Sequence, residues 1–206
     1  MLELAAILAL SARCAPEVSP MTMAAIAHAE SRFDPLAIGV NNGSAPARPR
    51  TAAEASRIAR RLIAAGANID LGLAQINAAN LSRLGLSIED AFDPCRSLEA
   101  GAAVLMAGYR PASDHPDARQ QALRVALSLY NTGHPRRGFR NGYVARVEAS
   151  AARLMGAPLQ PAAPAPSPLP VVRLSAPLPT PTWDVFGRAE ASPRLLFSAS
   201  SESFSR

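Results

Sequence analysis

The 206-residue chain contains no lysine, so all 21 of its basic residues are arginine. Aromatic residues make up only 5% of the sequence, and the arginines are scattered except in the short stretch 135–140. Nucleic-acid binding needs stacking aromatics and a continuous basic surface, and the chain has neither. No run approaches the ~18 apolar residues of a membrane-spanning helix. We therefore expect no nucleic-acid partner and no integral membrane segment.

A recognisable export signal is also missing. The apolar stretch 4–10 is short, and Glu3 precedes it where a secretion signal carries basic residues. Three readings stay open: the true start lies upstream, the stretch is a helix of the domain, or export follows another route.

Metal-binding patterns are scarce too. Neither Cys14 nor Cys95 has a nearby cysteine partner, and the three histidines do not cluster, so we predict no metal site. From the residues alone, two buried free thiols and one disulfide are equally open. A disulfide would indicate an oxidising compartment such as the periplasm.

Helical periodicity dominates the chain before residue 155, where apolar residues recur three and four positions apart. Nine of the 19 prolines then fall between positions 158 and 181, in a run rich in alanine and serine. We predict a mainly α domain over residues 1–155, with at most a very small β element. A disordered Pro/Ala/Ser-rich tail is predicted over 156–206.

Breaker and capping residues divide the predicted domain into helices. The pattern Thr51 to Glu54 is a capping box, and Gly66 is placed to end the helix that it opens. The other helices are expected at 2–13, 20–31, 97–109, 116–130 and 142–155. Residues 39–50 are predicted to form a loop, and residues 70–77 a short compact turn segment.

One carboxylate stands out in the second helix. Glu30 follows Met23, Ile26 and Ala27 at helical spacing, which puts it on the apolar stripe that faces the core. An apolar wall raises the pKa of a carboxyl group and keeps it protonated as a general acid. A glutamate at a helix end that points to solvent is the plainer alternative. Ser31 directly follows and is expected to orient the carboxylate by a hydrogen bond.

The segment Glu30-Ser31-Arg32-Phe33-Asp34-Pro35 resembles the E-S-x-F-x-P signature of the soluble lytic transglycosylase family. Three further segments follow in the family's order. They resemble its G-L-x-Q-I, A-x-x-x-Y-N-x-G and Y-V-x-x-V motifs and occupy 72–77, 126–133 and 141–147. One such motif would be weak, but four in order are a specific signal.

The resemblance is closest to the branch that serves type IV secretion and conjugation machines. That branch has a cysteine-proline opening like Cys14-Ala15-Pro16 and an Asp-Pro-Cys like Asp93-Pro94-Cys95. The match implies a lysozyme-like fold of the goose-type class, a disulfide between the two cysteines, and a periplasmic location.

The resemblance also implies a mechanism in which Glu30 is the single acid and base. It protonates the glycosidic oxygen of peptidoglycan and then takes the proton of the sugar's own C6 hydroxyl, which leaves a 1,6-anhydromuramoyl end. No cofactor is needed. The residues expected to bind the glycan or line its cleft are Ser31, Gln75, Asn77, Tyr130, Asn131 and Tyr143, and Tyr143 is expected to donate a hydrogen bond to Glu30.

Two alternatives remain. A hydrolytic lysozyme would need a second carboxylate about 5 to 9.5 Å from the first. Asp34, Asp70 and Glu148 are the candidates, and Asp70 is the best of them, although we expect it to cap its turn. A non-catalytic assembly factor of a secretion apparatus, docking through its proline-rich tail, is the second alternative.

Overall fold

A computed structural model describes residues 1–156 of the chain. The predicted tail lies, apart from Gly156, outside the described residues. Within them the protein is mainly helical, as predicted. The helices are α1 (Leu4–Cys14), α2 (Pro20–Ser31), α3 (Ala52–Ala64), α4 (Pro94–Gly108), α5 (Pro116–Thr132), α6 (Arg137–Arg140) and α7 (Tyr143–Leu154). The strands are β1 (Ile38–Val40), β2 (Ile69–Leu71) and β3 (Ile76–Asn77), and three 3-10 turns lie at Ala78–Asn80, Ser82–Leu84 and Asp90–Phe92.

Local capping chemistry sets several helix ends. The Thr51 side chain accepts a hydrogen bond from the backbone N–H of Glu54, as the capping box predicts. Helix α4 begins three residues before the predicted start at Ser97. The Asp93 carboxylate caps it by accepting from the N–H of Arg96, and Pro94 occupies the first helical position. Asp93 and Pro94 therefore begin helix α4, which we expected to start only at residue 97.

The main core gathers around α2, whose residues from Met21 to Ala27 are all buried. Helices α1, α4 and α7 pack against α2, and α5 joins the same core by packing on α4 and α7. The stretch 4–10 belongs to α1, and Ile7 is fully buried in this core, so it is a helix of the domain. A disulfide joins Cys14 at the end of α1 to Cys95 at the start of α4, with 5.4 Å between their Cα atoms. The implied pairing is thus present in the structure.

Within residues 1–156, no helix has both the length and the apolar character needed to cross a membrane.

Residues 70–77 form a β-hairpin, where we expected a compact turn segment. The three strands make an antiparallel sheet in the order β1-β2-β3, and the register aligns Gly39, Asp70 and Asn77 in one row. Side chains alternate between the two faces of a sheet. The apolar residues of the strands pack with α3 into a second core, and the polar residues cover the opposite face.

Gly72 makes the hairpin turn possible. Its φ is 73°, in the left-handed region, and a Cβ atom there would lie 1.8 Å from the carbonyl oxygen of Ala91. A side chain at this position would therefore push the hairpin off the 3-10 turn that ends at Phe92.

Candidate active site

A cleft of about 650 Å³ runs between the end of α2, the polar face of the sheet and the C-terminal half of α5. The residues that line it include five of those predicted to act on or bind the glycan: Glu30, Gln75, Asn77, Tyr130 and Asn131. These residues lie between positions 30 and 131 of the sequence, and the fold brings them together in one cleft.

Glu30 sits in the last turn of α2, above a fully buried wall that contains Met23, Ile26 and Ala27. The helix ends directly after it because Arg32 and Phe33 take left-handed backbone angles, with φ of 55° and 65°. The Phe33 ring turns inward and is buried in the main core. The chain thus leaves the helix at a fixed angle and keeps the carboxylate at the cleft.

Burial is the main reason that the pKa of Glu30 rises from its ordinary value of 4.5 to about 7. The negative charge of Asp70 raises this pKa further, whereas a hydrogen bond from Tyr143 and the charge of Arg146 lower it. Near neutral pH the carboxyl group therefore exists in both protonation states, as a group that must first donate and then accept a proton requires.

Tyr143 begins α7 and donates a hydrogen bond from its hydroxyl to Glu30 Oε1 at 2.6 Å. The expected contact is thus present. Its ring stacks on that of Tyr130, with 6.5 Å between centroids, and the Arg146 guanidinium lies 5.5 Å from the ring centroid on Tyr143. Burial raises the pKa of both tyrosines well above the usual value, so both stay protonated.

Tyr130 does not contact Glu30 by a hydrogen bond. Its hydroxyl donates to the backbone carbonyl of Ala74 at 2.6 Å and so ties α5 to the hairpin. Tyr130 lines the cleft as predicted, but its polar atom is occupied by the protein itself.

The expected hydrogen bond from Ser31 to Glu30 is wrong. The Ser31 hydroxyl lies 3.0 Å from the carbonyl oxygen of Ala27 and 2.9 Å from that of Leu73. A side chain one position after Glu30 on a helix points about 100° away from it, since each residue turns the helix by that angle. Ser31 instead fastens the end of α2 to the hairpin.

Gln75 closes the hairpin turn with a φ of 46°, a strained value for a residue with a side chain. Its Nε2 donates to the carbonyls of Ala37 and Gly72, at 3.3 and 3.0 Å. Oε1 is left to accept a hydrogen bond at the cleft. A Cβ at Gly39 would lie 2.7 Å from this oxygen, so the glycine makes room for the amide.

Asn131 is held by a residue that the sequence did not single out. The Oδ1 atom of Asn141 accepts from the N–H of Tyr143 at 3.0 Å, so its amide nitrogen must face the other way. That nitrogen donates to Asn131 Oδ1 at 2.9 Å. The Asn131 oxygen is thereby occupied, and its Nδ2 group is the part left to donate to a ligand.

Asp70 is not the turn cap that we expected. It lies in the central strand β2, lines the cleft with Glu30, and accepts hydrogen bonds from Asn77 Nδ2 at 2.8 Å and Asn41 Nδ2 at 2.9 Å. The Oδ1 atom of Asn68 accepts from both asparagines. Asn41 and Asn68 were not predicted as site residues. The sequence pattern that could have indicated Asn68 is the alternation Asn68-Ile69-Asp70-Leu71, which is typical of a strand with one polar face.

The other two carboxylates considered at the sequence level do not line the cleft. Asp34 pairs with Arg48 at 2.6 Å, and Glu148 pairs with Arg124 at 2.6 Å. Only Asp70, of the three, shares the cleft with Glu30.

The fold and the cleft together define a mainly α, lysozyme-like domain, in which a small antiparallel sheet faces a partly buried glutamic acid. The chain belongs to the transglycosylase SLT domain family, whose sequence model matches residues 7–152.

The chain is also similar to two virB1 proteins. Protein virB1 of Rhizobium radiobacter is 44% identical over 149 residues, which cover 72% of this chain and 62% of that protein. The type IV secretion system protein virB1 of Brucella abortus biovar 1 (strain 9-941) is 43% identical over 150 residues, covering 70% and 63%. The match thus spans less than two thirds of the length of these relatives. No solved structure matches the chain.

Proposed function

We propose that this protein is a peptidoglycan lytic transglycosylase that cleaves the MurNAc-GlcNAc β-1,4 bond and leaves a 1,6-anhydromuramoyl end. The observation that carries the proposal is Glu30, a partly buried carboxyl group above an apolar wall, which has a pKa of about 7 and opens onto a polar cleft. Membership of the transglycosylase SLT domain family supports the same chemistry.

The proposed reaction uses Glu30 twice. Its protonated form gives a proton to the glycosidic oxygen, and the bond from that oxygen to C1 of the sugar breaks. The resulting carboxylate accepts the proton of the C6 hydroxyl while that oxygen bonds to C1. Tyr143 donates to Oε1 and stabilises the carboxylate between these two steps, because a hydrogen bond to the ionised form lowers its energy.

The remaining cleft residues recognise the glycan by hydrogen bonds. Gln75 presents an acceptor oxygen and Asn131 presents donor hydrogens, which suits the N–H and C=O groups of N-acetyl substituents. The amide nitrogen of Asn77 donates hydrogen bonds to Asn68 and Asp70, and its oxygen accepts from the N–H of Ala79. Asn77 therefore holds the sheet face in place.

Digestion of purified peptidoglycan followed by mass spectrometry tests the proposal. We expect fragments with anhydro ends from the wild type. General acid-base groups contribute about a hundredfold to ten-thousandfold to rate, so Glu30→Gln should lose activity on that scale. Glu3→Gln, at an exposed glutamate before α1, is the matched control and should be as active as the wild type. Retained turnover in Glu30→Gln would remove Glu30 from the mechanism.

Hydrolysis is the second candidate reaction, and the position of Asp70 in the cleft is the observation that favours it. A hydrolase needs a second carboxylate to activate water or to bond to the sugar. Its products would carry reducing ends without anhydro sugars, and such products would replace the transglycosylase proposal.

We further propose that the enzyme works in the periplasm and opens the murein mesh locally for a type IV secretion or conjugation apparatus. The similarity to the type IV secretion system protein virB1 of Brucella abortus supports this role, and the disulfide between Cys14 and Cys95 suits an oxidising compartment. Substrate transfer by the secretion or conjugation apparatus should fall when Glu30→Gln replaces the wild type. Undiminished transfer would favour the assembly-factor alternative. The interaction of the proline-rich segment with envelope components stays a prediction.

A further inference from the structure

We propose that Asp70 is a second working carboxylate of the cleft, which stabilises the positive charge that develops on C1 and the ring oxygen of the sugar. Glu30 remains the acid and base. The inference deepens the proposed function and rests on it.

The sheet places Asp70 where it can reach a bound sugar. It occupies the central strand, in the row that runs from Gly39 to Asn77, and its side chain lies on the polar face that lines the cleft. Glu30 lines the same cleft from the end of α2. A glycan strand that contacts one carboxyl group therefore passes the other.

A ring of amides fixes the Asp70 carboxylate. Oδ1 accepts from Asn77 Nδ2 and Oδ2 from Asn41 Nδ2, and these two asparagines also share the oxygen of Asn68. An ionised carboxylate offers about four acceptor positions, so about two of them stay available. The ring orients the group and prevents rotation.

The amides of this ring form no ion pair with Asp70. Amides are neutral, and within residues 1–156 no arginine or histidine forms an ion pair with Asp70. The two carboxyl groups thus have contrasting surroundings, an apolar wall for Glu30 and an amide ring for Asp70. Contrasting surroundings give two neighbouring carboxyl groups different roles.

A fixed negative charge helps this reaction at one point. When Glu30 protonates the glycosidic oxygen and the bond to C1 breaks, the departing oxygen keeps the electron pair and positive charge remains on the sugar ring. Asp70 lowers the energy of that charged state without forming a bond. The C6 oxygen then bonds to C1, its proton returns to Glu30, and neither water nor a cofactor is consumed.

The first test variant is Asp70→Asn in the full chain, measured for kcat and for the pH dependence of kcat/KM on purified peptidoglycan. Loss of one preorganised electrostatic group costs about a hundredfold to a thousandfold in kcat. Because the Asp70 charge raises the pKa of Glu30, the alkaline limb of the profile should also move to lower pH. The limb reports the effect of the Asp70 charge on Glu30, and the fall in kcat at the optimum of the shifted profile reports its effect on the charged sugar.

Two further variants keep the test decisive. Asp117→Asn removes a charge that is 92% exposed, in the first turn of α5, and should leave kcat and the profile unchanged. The double variant Asp70→Asn with Asn77→Asp exchanges carboxylate and amide, so it keeps the net charge and the hydrogen bond between the two positions. It loses the hydrogen bond from Asn77 Nδ2 to Asn68 Oδ1, and it should be as slow as the single variant.

Wild-type kcat at the pH optimum of both Asp70 variants would overturn the inference while the proposed function stands. Reducing ends from the wild type would instead overturn the proposed function.

Discussion

Glu30→Gln should stabilise the folded protein at neutral and alkaline pH, although it removes the catalytic group. Burial raises the pKa of Glu30 from 4.5 to about 7, whereas the unfolded chain keeps the ordinary value. Between these two values the folded state holds a proton that the unfolded state has lost, so the wild type loses stability as the pH rises. A glutamine does not ionise and escapes this loss.

The size of the effect follows from the pKa. A change from 4.5 to about 7 corresponds to about 3 kcal/mol in the free energy of unfolding. The advantage of Glu30→Gln over the wild type should therefore start near zero below about pH 4.5, grow up to about pH 7, and stay constant above it. The hydrogen bond from Tyr143 survives, because the amide oxygen of glutamine also accepts.

Urea unfolding of both proteins at a series of pH values between about 4 and 8 measures this difference. Glu3→Gln is the matched control and should show no comparable rise with pH, since Glu3 is exposed. A difference between Glu30→Gln and the wild type that stays flat across the whole range would refute the argument that burial holds Glu30 protonated.

Two further variants test the contacts around the site and the disulfide. Tyr143→Phe removes the hydrogen bond that lowers the pKa of Glu30, so the alkaline limb of kcat/KM should move to higher pH; an unmoved limb would contradict the assigned role. Replacing Cys14 and Cys95 with serine should lower the free energy of unfolding by about 4 kcal/mol, because the disulfide closes a long loop. Unchanged urea unfolding would show that the disulfide does not contribute to stability.

Local features of the fold were predictable because they depend on neighbours along the chain. The helical spacing of Met23, Ile26, Ala27 and Glu30 is a property of α2 alone, and the structure buries the three apolar residues as that spacing requires. The capping box at Thr51 is equally local. The start of α4 was misplaced because an Asp-Pro pair both ends one segment and begins the next.

The position of the small sheet was missed for a related reason. Its strands have only two or three residues each, and an alternating pattern needs about four residues or more to be recognised. Asp70 was consequently taken for a turn residue. Only its pairing with Gly39 and Asn77 puts it on the strand face that lines the cleft.

By itself, the sequence determined the mainly helical domain, the apolar wall beneath Glu30, and the order of motifs that suggested its role. The tertiary structure decided which side chains contact Glu30 and Ser31. Tyr143 donates to Glu30 across 113 positions of sequence, whereas the adjacent Ser31 turns to Leu73 instead. The family resemblance had suggested the contact with Tyr143, but local sequence could not. Helix geometry separates neighbours in sequence and packing joins distant ones, so only the folded chain turned Ser31 away from Glu30 and placed Asp70 in the same cleft.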